Sequence, residues 1–298
     1  MSLNSIEICQ DWLSYIKSEI TELTYIRYNR TMESYIIPYV SNHSLDTLNE
    51  DILNQYLLQQ KENGCTPTVL SRMKAIFVGV FKYGYRLGIL DTLDARKIKL
   101  PQYSLDEVSI NKEEADIIYH YCIKNKTSIN IAILLAMFTG IRIGELCALQ
   151  FKDIHQNIIH ITKTVQRNNN HKHEIVHVHH WAHQRDIIIP DFLLNDLLEY
   201  WKPIYDFNNY IATQNHKFGN PRTLQAKVAK ISKEIGIEFS FHSLRNYFYH
   251  TCMESGMNIY TLMALYGVSQ TKIKMEWKDC RTIEEKNNAL KHMKWFDN

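Results

Sequence analysis

His242 and Arg245 are the first residues whose types and spacing suggest chemistry. They stand three positions apart, which places both side chains on one face of a helix predicted over residues 240–253. Leu244 and Phe248 supply an apolar stripe beside them, so the helix would bury one side and present the other. An imidazole and a guanidinium held together can bind a phosphate oxygen through charged hydrogen bonds. Taken alone, the pair is more typical of a surface helix with two polar residues.

The upstream stretch TGIRIGEL adds a second group of polar residues. Thr139 and Gly140 would end one helix, and Arg142 would open the next. A helix N-terminus carries partial positive charge and unpaired N–H groups, so Arg142 and its helix would act on the same anion. Glu145, three residues later, can orient the arginine. The sequence therefore predicts an anion-binding site to which two separate helices contribute.

Together, TGIRIGEL and HSLR resemble the motifs of the tyrosine recombinases, also called phage-type integrases, in their order and separation. The resemblance extends over nearly the whole chain. It carries the family's first catalytic arginine onto Arg142, its acidic helper onto Glu145, its histidine onto His242 and its second arginine onto Arg245. It also implies double-stranded DNA as partner, no cofactor, and a mainly α fold with a small β-hairpin or sheet. The expected architecture has two domains, a helical SAM-like core-binding domain and a mixed α/β catalytic-type domain.

The resemblance fails at three positions where the family does its chemistry. After the family's glycine, here Gly267, a His or Trp is expected, and this chain has Val268. Ten residues after that glycine the family has its nucleophilic tyrosine, and this chain has Trp277. The family's general-acid lysine precedes a strand that ends in an Arg and a Pro. Aligning that strand on Arg185 and Pro190 places His179 at the lysine position.

These departures leave two possible functions, a non-cleaving DNA-binding protein and an integrase with another nucleophile. In the family a tyrosine oxygen attacks the phosphodiester while the arginines and the histidine stabilise charge on phosphorus. An indole has no ionisable hydroxyl to form the ester. The preferred interpretation is a DNA-binding protein of integrase descent that no longer cleaves and acts at recombination or integration sites. The alternative is a working integrase with another nucleophile, for which Tyr260, Tyr266 and Cys280 are the nearest candidates.

The composition is that of a globular protein with enough apolar residues for two domains. The chain has 298 residues, of which 45% are hydrophobic and 11% aromatic. No apolar run approaches the length of a membrane span and no signal peptide is recognisable, so we expect a cytoplasmic protein without membrane contact. The six cysteines are scattered and form no CxxC pair, which argues against disulfides and a zinc site.

Basic residues concentrate in one segment, although the net charge is only +2. Residues 66–100 hold seven basic and two acidic residues, and such an excess can contact a DNA backbone. With the two motif arginines, the predicted DNA-binding residues are Arg72, Lys74, Lys82, Arg86, Arg142 and Arg245.

Helix signals predict the domain bounds. Residues 1–92 are predicted to form helices, with Asn49 as an N-cap, Pro67 opening the helix that carries the basic residues, and an interruption near Pro38. This domain is similar to the family's core-binding domain.

Mixed charges and Pro101 in residues 93–110 predict a linker. Asn111 with Glu114 forms a capping pattern that starts the second domain, residues 111–298. The resemblance makes this the catalytic-type domain.

Residues 157–165 and 186–189 are predicted as the two strands of a hairpin. Histidines crowd the segment between them, at positions His171, His173, His177, His179, His180 and His183. Alternate residues on a strand share a face, so His177 with His179, or His171 with His173, could chelate a metal. No carboxylate or cysteine completes a set, so a solvated loop or a hairpin tip near DNA is favoured and no metal is predicted.

A last helix is predicted over residues 282–295. It resembles the tail helix that the family docks onto a neighbouring subunit. Self-association on DNA through this helix is therefore expected.

Overall fold

The structure is a computed structural model, and it describes residues 4–102, 110–168, 172–178, 184–201, 206–267 and 282–296. The chain divides into two compact units, Met1–Asp106 and Glu107–Asn298. In its described residues the first unit is helical, whereas the second combines helices with two small antiparallel sheets. The predicted fold class, mainly α with a small β portion, is confirmed. Within the described residues no helix is long and apolar enough to cross a membrane.

The helices of the first unit are α1 (Ser5–Tyr15), α2 (Glu22–Thr31), α3 (Ile37–Val40), α4 (Glu50–Glu62) and α5 (Pro67–Arg86). The predicted N-cap of α4 is confirmed, because the Asn49 side chain accepts from the Ile52 N–H at 3.0 Å. The predicted interruption near Pro38 is wrong. A π-helical stretch, Met32–Ile36, connects α2 to α3, and Pro38 falls in the first turn of α3, where its missing N–H costs little.

Close packing of α5 against α1 holds the core of the first unit together. The buried face of α5 includes Met73, Ile76 and Phe77, each at most 1% exposed. A Cβ atom on Gly79 would lie 2.3 Å from the Trp12 ring, so only a glycine allows the two helices to approach this closely. The opposite side of α5 therefore carries the polar residues.

Residues 93–102 of the predicted linker pack on the first unit. Ile98 is 1% exposed, the Asp94 N–H donates to Glu50 Oε1 at 2.7 Å, and the Lys99 N–H donates to Asn54 Oδ1 at 2.7 Å. Both acceptors lie on α4. This stretch is therefore an ordered extension of the helical unit.

The helices of the second unit are α6 (Lys112–Lys124), α7 (Ser128–Thr139), α8 (Ile143–Ala148), α9 (Asp191–Trp201), α10 (Pro221–Ile235), α11 (Phe241–Glu254), α12 (Ile259–Tyr266) and α13 (Ile283–Lys291). The predicted capping pattern at Asn111 is confirmed, since its side chain accepts from the Glu114 N–H at 2.8 Å and Glu114 returns the contact. The helix predicted over residues 240–253 is confirmed as α11.

The strands are β1 (Ile154–His155), β2 (Ile158–Ile161), β3 (Lys163–Arg167), β4 (His173–His177) and β5 (Arg185–Ile188). One sheet has the order β1-β2-β5 and the other pairs β3 with β4, all antiparallel. The strand predicted over residues 157–165 is therefore two strands in different sheets, separated at Thr162. Ile161 pairs with Arg185, which fixes the position of Arg185 at the start of β5.

The central element of the second unit is α7, which is buried from Asn130 to Thr139. It ends at Gly140, whose φ of +64° is left-handed. A Cβ atom there would lie 2.6 Å from Phe248 of α11. Glycine is therefore required both by the backbone conformation and by the approach of α11. This junction brings the start of α8 beside α11.

The C-terminal segment packs onto its own unit. Leu290 of α13 and Trp295 are 4% and 6% exposed, and the Trp295 ring lies 5.4 Å from that of Phe138 and 5.9 Å from that of Phe248. The Tyr247 hydroxyl donates to the Trp295 carbonyl. The end of the chain thus completes an aromatic core around α7.

The five described cysteines are free and buried: Cys9, Cys65, Cys122, Cys147 and Cys252. Cys280 lies outside the described residues. Burial raises the pKa of the Cys122 thiol to about 12, so this group stays neutral at physiological pH.

Candidate functional site

Three arginines and one glutamate meet where α8, β5 and α11 come together. We call Arg142, Glu145, Arg185 and Arg245 the arginine cluster. Arg142 is the N-cap of α8, Glu145 lies one turn into that helix, Arg185 opens β5, and Arg245 lies on α11. The two motif arginines and the acidic helper predicted from sequence are therefore brought together.

Glu145 is the centre of the arginine cluster, and its carboxylate accepts four hydrogen bonds. Oε1 accepts from Arg142 Nη1 and from Arg185 Nη1, both at 2.8 Å. Oε2 accepts from Arg185 Nη2 at 2.8 Å and from the Arg142 backbone N–H at 3.0 Å. The side chain is 3% exposed. The predicted contact between Glu145 and Arg142 is present, and Arg185 shares the same carboxylate.

Burial alone would raise the pKa of the Glu145 carboxyl. The charge of Arg185, followed by its hydrogen bonds and the charge of Arg142, outweighs burial and lowers that pKa to about 2. The carboxylate is therefore ionised at every physiological pH, and it balances one of the three guanidinium charges.

The C-terminal end of α12 supplies three consecutive carbonyl acceptors to the three arginines. Arg185 Nε donates to the Leu265 carbonyl at 2.8 Å, while Arg245 Nη2 donates to the Tyr266 carbonyl and Arg142 Nη2 to the Gly267 carbonyl. The last carbonyls of a helix lack partners within it and carry partial negative charge. The three guanidinium groups therefore supply the hydrogen bonds that these carbonyls lack, and the carbonyls in turn fix the positions of the guanidinium groups.

Arg245 is held from two further sides. Its Nη1 donates to the Gly140 carbonyl at the end of α7, and its Cζ lies 3.5 Å from the centroid of the Tyr266 ring. Burial, then repulsion by Arg142, lowers the pKa of the Arg245 guanidinium to about 10. Arg245 therefore remains charged at neutral pH in a fixed orientation.

Only one arginine of the cluster reaches solvent to a useful extent. The Arg142 side chain is 31% exposed, whereas that of Arg185 is 1% exposed. His242, one helical turn before Arg245 on α11, is exposed and makes no hydrogen bond to any residue in the described ranges. Among the predicted phosphate-binding residues, Arg142 and His242 are therefore the ones open to solvent, while Arg245 is buried.

An anion is what this arrangement can bind. Three guanidinium charges and one carboxylate give the cluster a net charge of +2. The Arg142 guanidinium donates from Nη1 to Glu145 and from Nη2 to the Gly267 carbonyl, so further N–H groups on it can donate to a ligand. The donors are fixed before any ligand arrives. A phosphate group suits the charge and the planar donor geometry.

Three predicted site residues, His179, Val268 and Trp277, lie outside the described residues. Sequence interpretation used Arg185 only as an alignment marker, and its place inside the arginine cluster was missed. An arginine that opens a strand of buried isoleucines was the available signal, because a charge in that position needs a buried partner.

The alternative nucleophiles differ in position. Tyr260 is 42% exposed in the first turn of α12. Tyr266, in the last turn, has its ring against Arg245, and its hydroxyl lies 3.5 Å from Asn246 Oδ1. Of these two tyrosines, Tyr266 is the one in contact with the arginine cluster.

The predicted basic residues of α5 do not share one face. At 3.6 residues per turn, Arg86 and Lys82 lie about 40° and about 80° from Arg72 around the helix, whereas Lys74 lies about 160° from Arg72. Arg72 Nη1 donates to Thr31 Oγ1 at 3.1 Å and Arg86 Nη1 to the Tyr15 hydroxyl at 3.3 Å. Lys74 Nζ donates to the Ile98 carbonyl instead. The basic surface of α5 is therefore Arg72, Lys82 and Arg86.

A second basic surface, not recognised from sequence, lies on α10. Its exposed basic residues are Arg222, Lys227, Lys230 and Lys233, and the single acidic residue of the helix is Glu234. Leu224, Val228 and Ile231 are buried on the opposite side. We call the four cations the α10 basic face.

Two of the hairpin histidines, His173 and His177, are described, at the two ends of β4. They pair across the sheet with Arg167 and Lys163. Their proposed metal-binding partners, His171 and His179, lie outside the described residues.

Comparison of the sequence with known families gives one extended match. A profile described as the Phage integrase family matches residues 109–277, which is more than half of the chain. The tyrosine recombinase XerA of Pyrococcus furiosus is 25% identical over 194 residues, covering 62% of this chain and 63% of the recombinase. The match thus spans less than two thirds of that relative's length.

Solved structures share the fold across both units. The Tn1549 transposon integrase in complex with transposon right end DNA has a TM-score of 0.73 at 15% identity, covering 98% of this chain and 95% of that chain. A lambda integrase dimer bound to a COC' core site has a TM-score of 0.63 at 16% identity, covering 93% of this chain and 98% of that chain. At such identities the likeness establishes the fold alone, and the predicted two-domain architecture is confirmed.

Proposed function

Because the chain belongs to the phage integrase family of tyrosine recombinases, we propose that it binds duplex DNA at recombination or integration sites without cleaving it. The observation that carries this proposal is the arginine cluster, which presents a fixed net charge of +2 beside exposed His242. We assign the backbone phosphate to Arg142, His242 and Arg245. Glu145 orients Arg142 through two hydrogen bonds.

The absence of cleavage rests on side-chain chemistry at the family positions. The profile match ends at residue 277, which is Trp in this chain. An indole nitrogen has its lone pair in the ring and cannot form a phosphoester. The Val268 side chain has no donor for the phosphate, and His179 stands where the family has the lysine that protonates the departing 5′ oxygen. Binding and cleavage therefore separate, because the arginines are retained and the nucleophile is not.

Two basic surfaces are suited to contacting the DNA backbone. In the first unit the basic surface consists of Arg72, Lys82 and Arg86 of α5. This unit is predicted as the core-binding domain over residues 1–92 and would bind the duplex through that surface. In the second unit the α10 basic face supplies four exposed cations. Phosphate contacts of this kind fix register on DNA without reading its sequence.

Self-association on DNA is part of the same proposal. The solved lambda integrase is a dimer on its core site. We propose that the C-terminal helix α13 makes the contact between subunits. Leu290 of α13 and Trp295, which follows the helix, are buried in their own unit, so this segment would have to leave that position before it could dock on a neighbour.

Covalent trapping tests the proposal. Duplexes enriched from a random pool by binding to the full chain supply a substrate, whatever the target sequence is. A nick beside each candidate phosphate then traps any protein–DNA adduct, which is scored on denaturing gels. We expect binding without adduct from the unmodified chain, and little recovery in Trp277→Tyr alone, because the missing groups act as a unit. The triple variant Trp277→Tyr, Val268→His, His179→Lys is the positive arm of the experiment.

The second candidate function is an active integrase with a relocated nucleophile, and the position of Tyr266 favours it. Its ring lies 3.5 Å from Arg245 Cζ, within the candidate phosphate site. An adduct from the unmodified chain, mapped by mass spectrometry to Tyr266, Tyr260 or Cys280 and lost in the corresponding Phe or Ser variant, would replace the non-cleaving proposal with this one. Absence of DNA binding even at low salt would remove both.

A further inference from the structure

Arg185 is the most enclosed charged side chain of the arginine cluster, and neither its family position nor its exposure assigns it a contact with DNA. Its side chain is 1% exposed. Its guanidinium donates to both oxygens of Glu145 and to the Leu265 carbonyl, each at 2.8 Å. A group this enclosed cannot reach a phosphate on a duplex. Any effect it has on DNA must pass through another residue.

The two groups that hold Arg142 are both in contact with Arg185. Arg142 donates to Glu145 and to the Gly267 carbonyl. Glu145 is fixed by the bidentate pair with Arg185, and Gly267 lies directly on the Arg185 side chain. A Cβ atom at position 267 would fall 2.7 Å from Arg185 Cζ and Nε. The position of Arg142 is therefore set, on both of its sides, by the place of Arg185.

Charge balance gives Arg185 a second effect on Arg142. Glu145 carries one negative charge that two arginines share. With Arg185 present the cluster keeps a net charge of +2. Without it, Glu145 would pair with Arg142 alone, and the net charge would fall to +1. The exposed arginine would then be drawn to the carboxylate, with less positive charge left for an anion.

We propose that Arg185 is a positioning residue for phosphate binding by Arg142, which it orients through Glu145 and the end of α12 and keeps electrostatically available. This inference rests on the proposed function, since it needs Arg142 to contact a DNA phosphate. A merely structural Arg185 would stabilise the second unit without altering how Arg142 binds DNA. The two roles differ in whether the effects of the two arginines on DNA affinity are coupled.

A double-mutant cycle on DNA affinity tests whether the contributions of Arg142 and Arg185 are coupled. The full chain is titrated into a fluorescein-labelled duplex at several salt concentrations, and affinity and its salt slope are measured for Arg142→Ala, Arg185→Met and the double variant. We expect Arg185→Met alone to weaken binding by about tenfold and to reduce the salt slope by about one, the signature of one lost phosphate contact. Arg142→Ala should then cost less than threefold further in the Arg185→Met background.

Controls separate positioning from folding. Ile118→Ala, in the core of α6 at 0% exposure and outside the arginine cluster, supplies a destabilised second unit with the cluster intact. Its salt slope should equal that of the parent. Arg185→Lys is the second variant, used if Arg185→Met does not fold. A lysine keeps the charge but cannot hold two carboxylate oxygens and the Leu265 carbonyl in one plane, so part of the loss should remain.

Two outcomes contradict the inference, and a third removes its premise. If Arg185→Met leaves the salt slope unchanged, or if Arg142→Ala costs the same in both backgrounds, Arg185 is structural only. If the parent does not bind DNA at low salt, the proposed function fails first. These results are distinguishable, because the first two require measurable binding by the parent.

Discussion

Arginines in the two units are held in opposite ways. On α5 of the first unit, Arg72 and Arg86 each donate one hydrogen bond to a neutral hydroxyl, at 3.1 and 3.3 Å. Among the described residues neither has a carboxylate partner. In the second unit the arginines of the cluster are fixed by a shared carboxylate and by backbone carbonyls. The same side chain is a loosely held surface charge in one place and a fixed hydrogen-bond donor in the other.

The difference teaches what each region can contribute to binding a polyanion. Surface cations attract phosphates through long-range charge, and salt screens this attraction. Fixed donors add geometry, because their orientation is set before the ligand arrives. The desolvation of the buried arginines is offset within the protein by Glu145 and by the end of α12. We therefore expect the surface cations of α5 and of the α10 basic face to govern general affinity and the arginine cluster to govern the placement of one phosphate.

Removal of the carboxylate that Arg142 and Arg185 share should lower the unfolding free energy more than removal of a surface arginine. Glu145→Gln leaves buried guanidinium groups without their charge partner, and breaking a buried ion pair costs about 3–5 kcal/mol of unfolding free energy. Arg86→Ala on the surface of α5 should cost less than about 0.5 kcal/mol. Urea unfolding of both variants measures this, with exposed Glu234→Gln as the matched glutamate control. Equal losses for Glu145→Gln and Glu234→Gln would mean that the cluster is no more fixed than the surface.

Acid should reveal the same contrast through the depressed pKa of Glu145. The ordinary value is 4.5 and the folded value about 2, so the stabilisation is complete above pH 4.5 and lost as pH falls through 2. Its size is roughly 3 kcal/mol, at 1.36 kcal/mol for each pKa unit. The measurement is the unfolding free energy of the parent minus that of Glu145→Gln between pH 5 and pH 2. A difference that stays constant across this range would argue against an ionised buried carboxylate.

Single surface cations should produce the smallest effects, and these should be alike in both units. Lys82→Ala on α5 and Lys230→Ala on the α10 basic face should each weaken DNA binding by only a few fold near physiological salt. Each should lower the salt slope by about 0.9, with no change in thermal stability. Anisotropy titrations across salt concentrations check this, with Lys74→Ala as control, because the Lys74 amino group donates to the Ile98 carbonyl within the first unit. A change of the salt slope in Lys74→Ala equal to that in Lys82→Ala would mean that Lys74 also contacts DNA and belongs to the basic surface of α5.

Motifs and local signals in the sequence sufficed for several helix ends and for three of the four residues of the arginine cluster. Gly140 and Asn111 gave correct helix ends because left-handed backbone and capping depend on residues close in sequence. Arg142 and Glu145 meet because they lie one turn apart. Arg185 was missed because its partners, Glu145 and Leu265, lie 40 and 80 residues away. Contacts at that range are set by strand register and helix packing, which periodicity does not reveal.

The same limit explains the error in the hairpin and the contacts that were not foreseen on the basic helices. Alternation in residues 157–165 is continuous, and nothing local indicates that Thr162 separates two sheets. The basic residues of α5 were grouped by their abundance, and the sequence gives no sign that Lys74 donates to the Ile98 carbonyl. The α10 basic face escaped notice because its cations are spread along the helix between apolar positions.

Trp295 has a consequence for the order in which the protein is made. The first compact unit ends at Asp106, whereas Trp295, followed by Phe296, completes the aromatic core around α7. At 5–20 residues per second, synthesis takes roughly 10–40 s to pass from one point to the other. During that interval the apolar run IAILLAMF of α7 has no complete cover, and it offers a nascent-chain segment to chaperones. Ribosome-bound chains with a C-terminal linker that brings residue 295 out of the exit tunnel should be less protease-sensitive within α7 than chains with the same linker truncated before residue 283, while the helical first unit is already resistant in both.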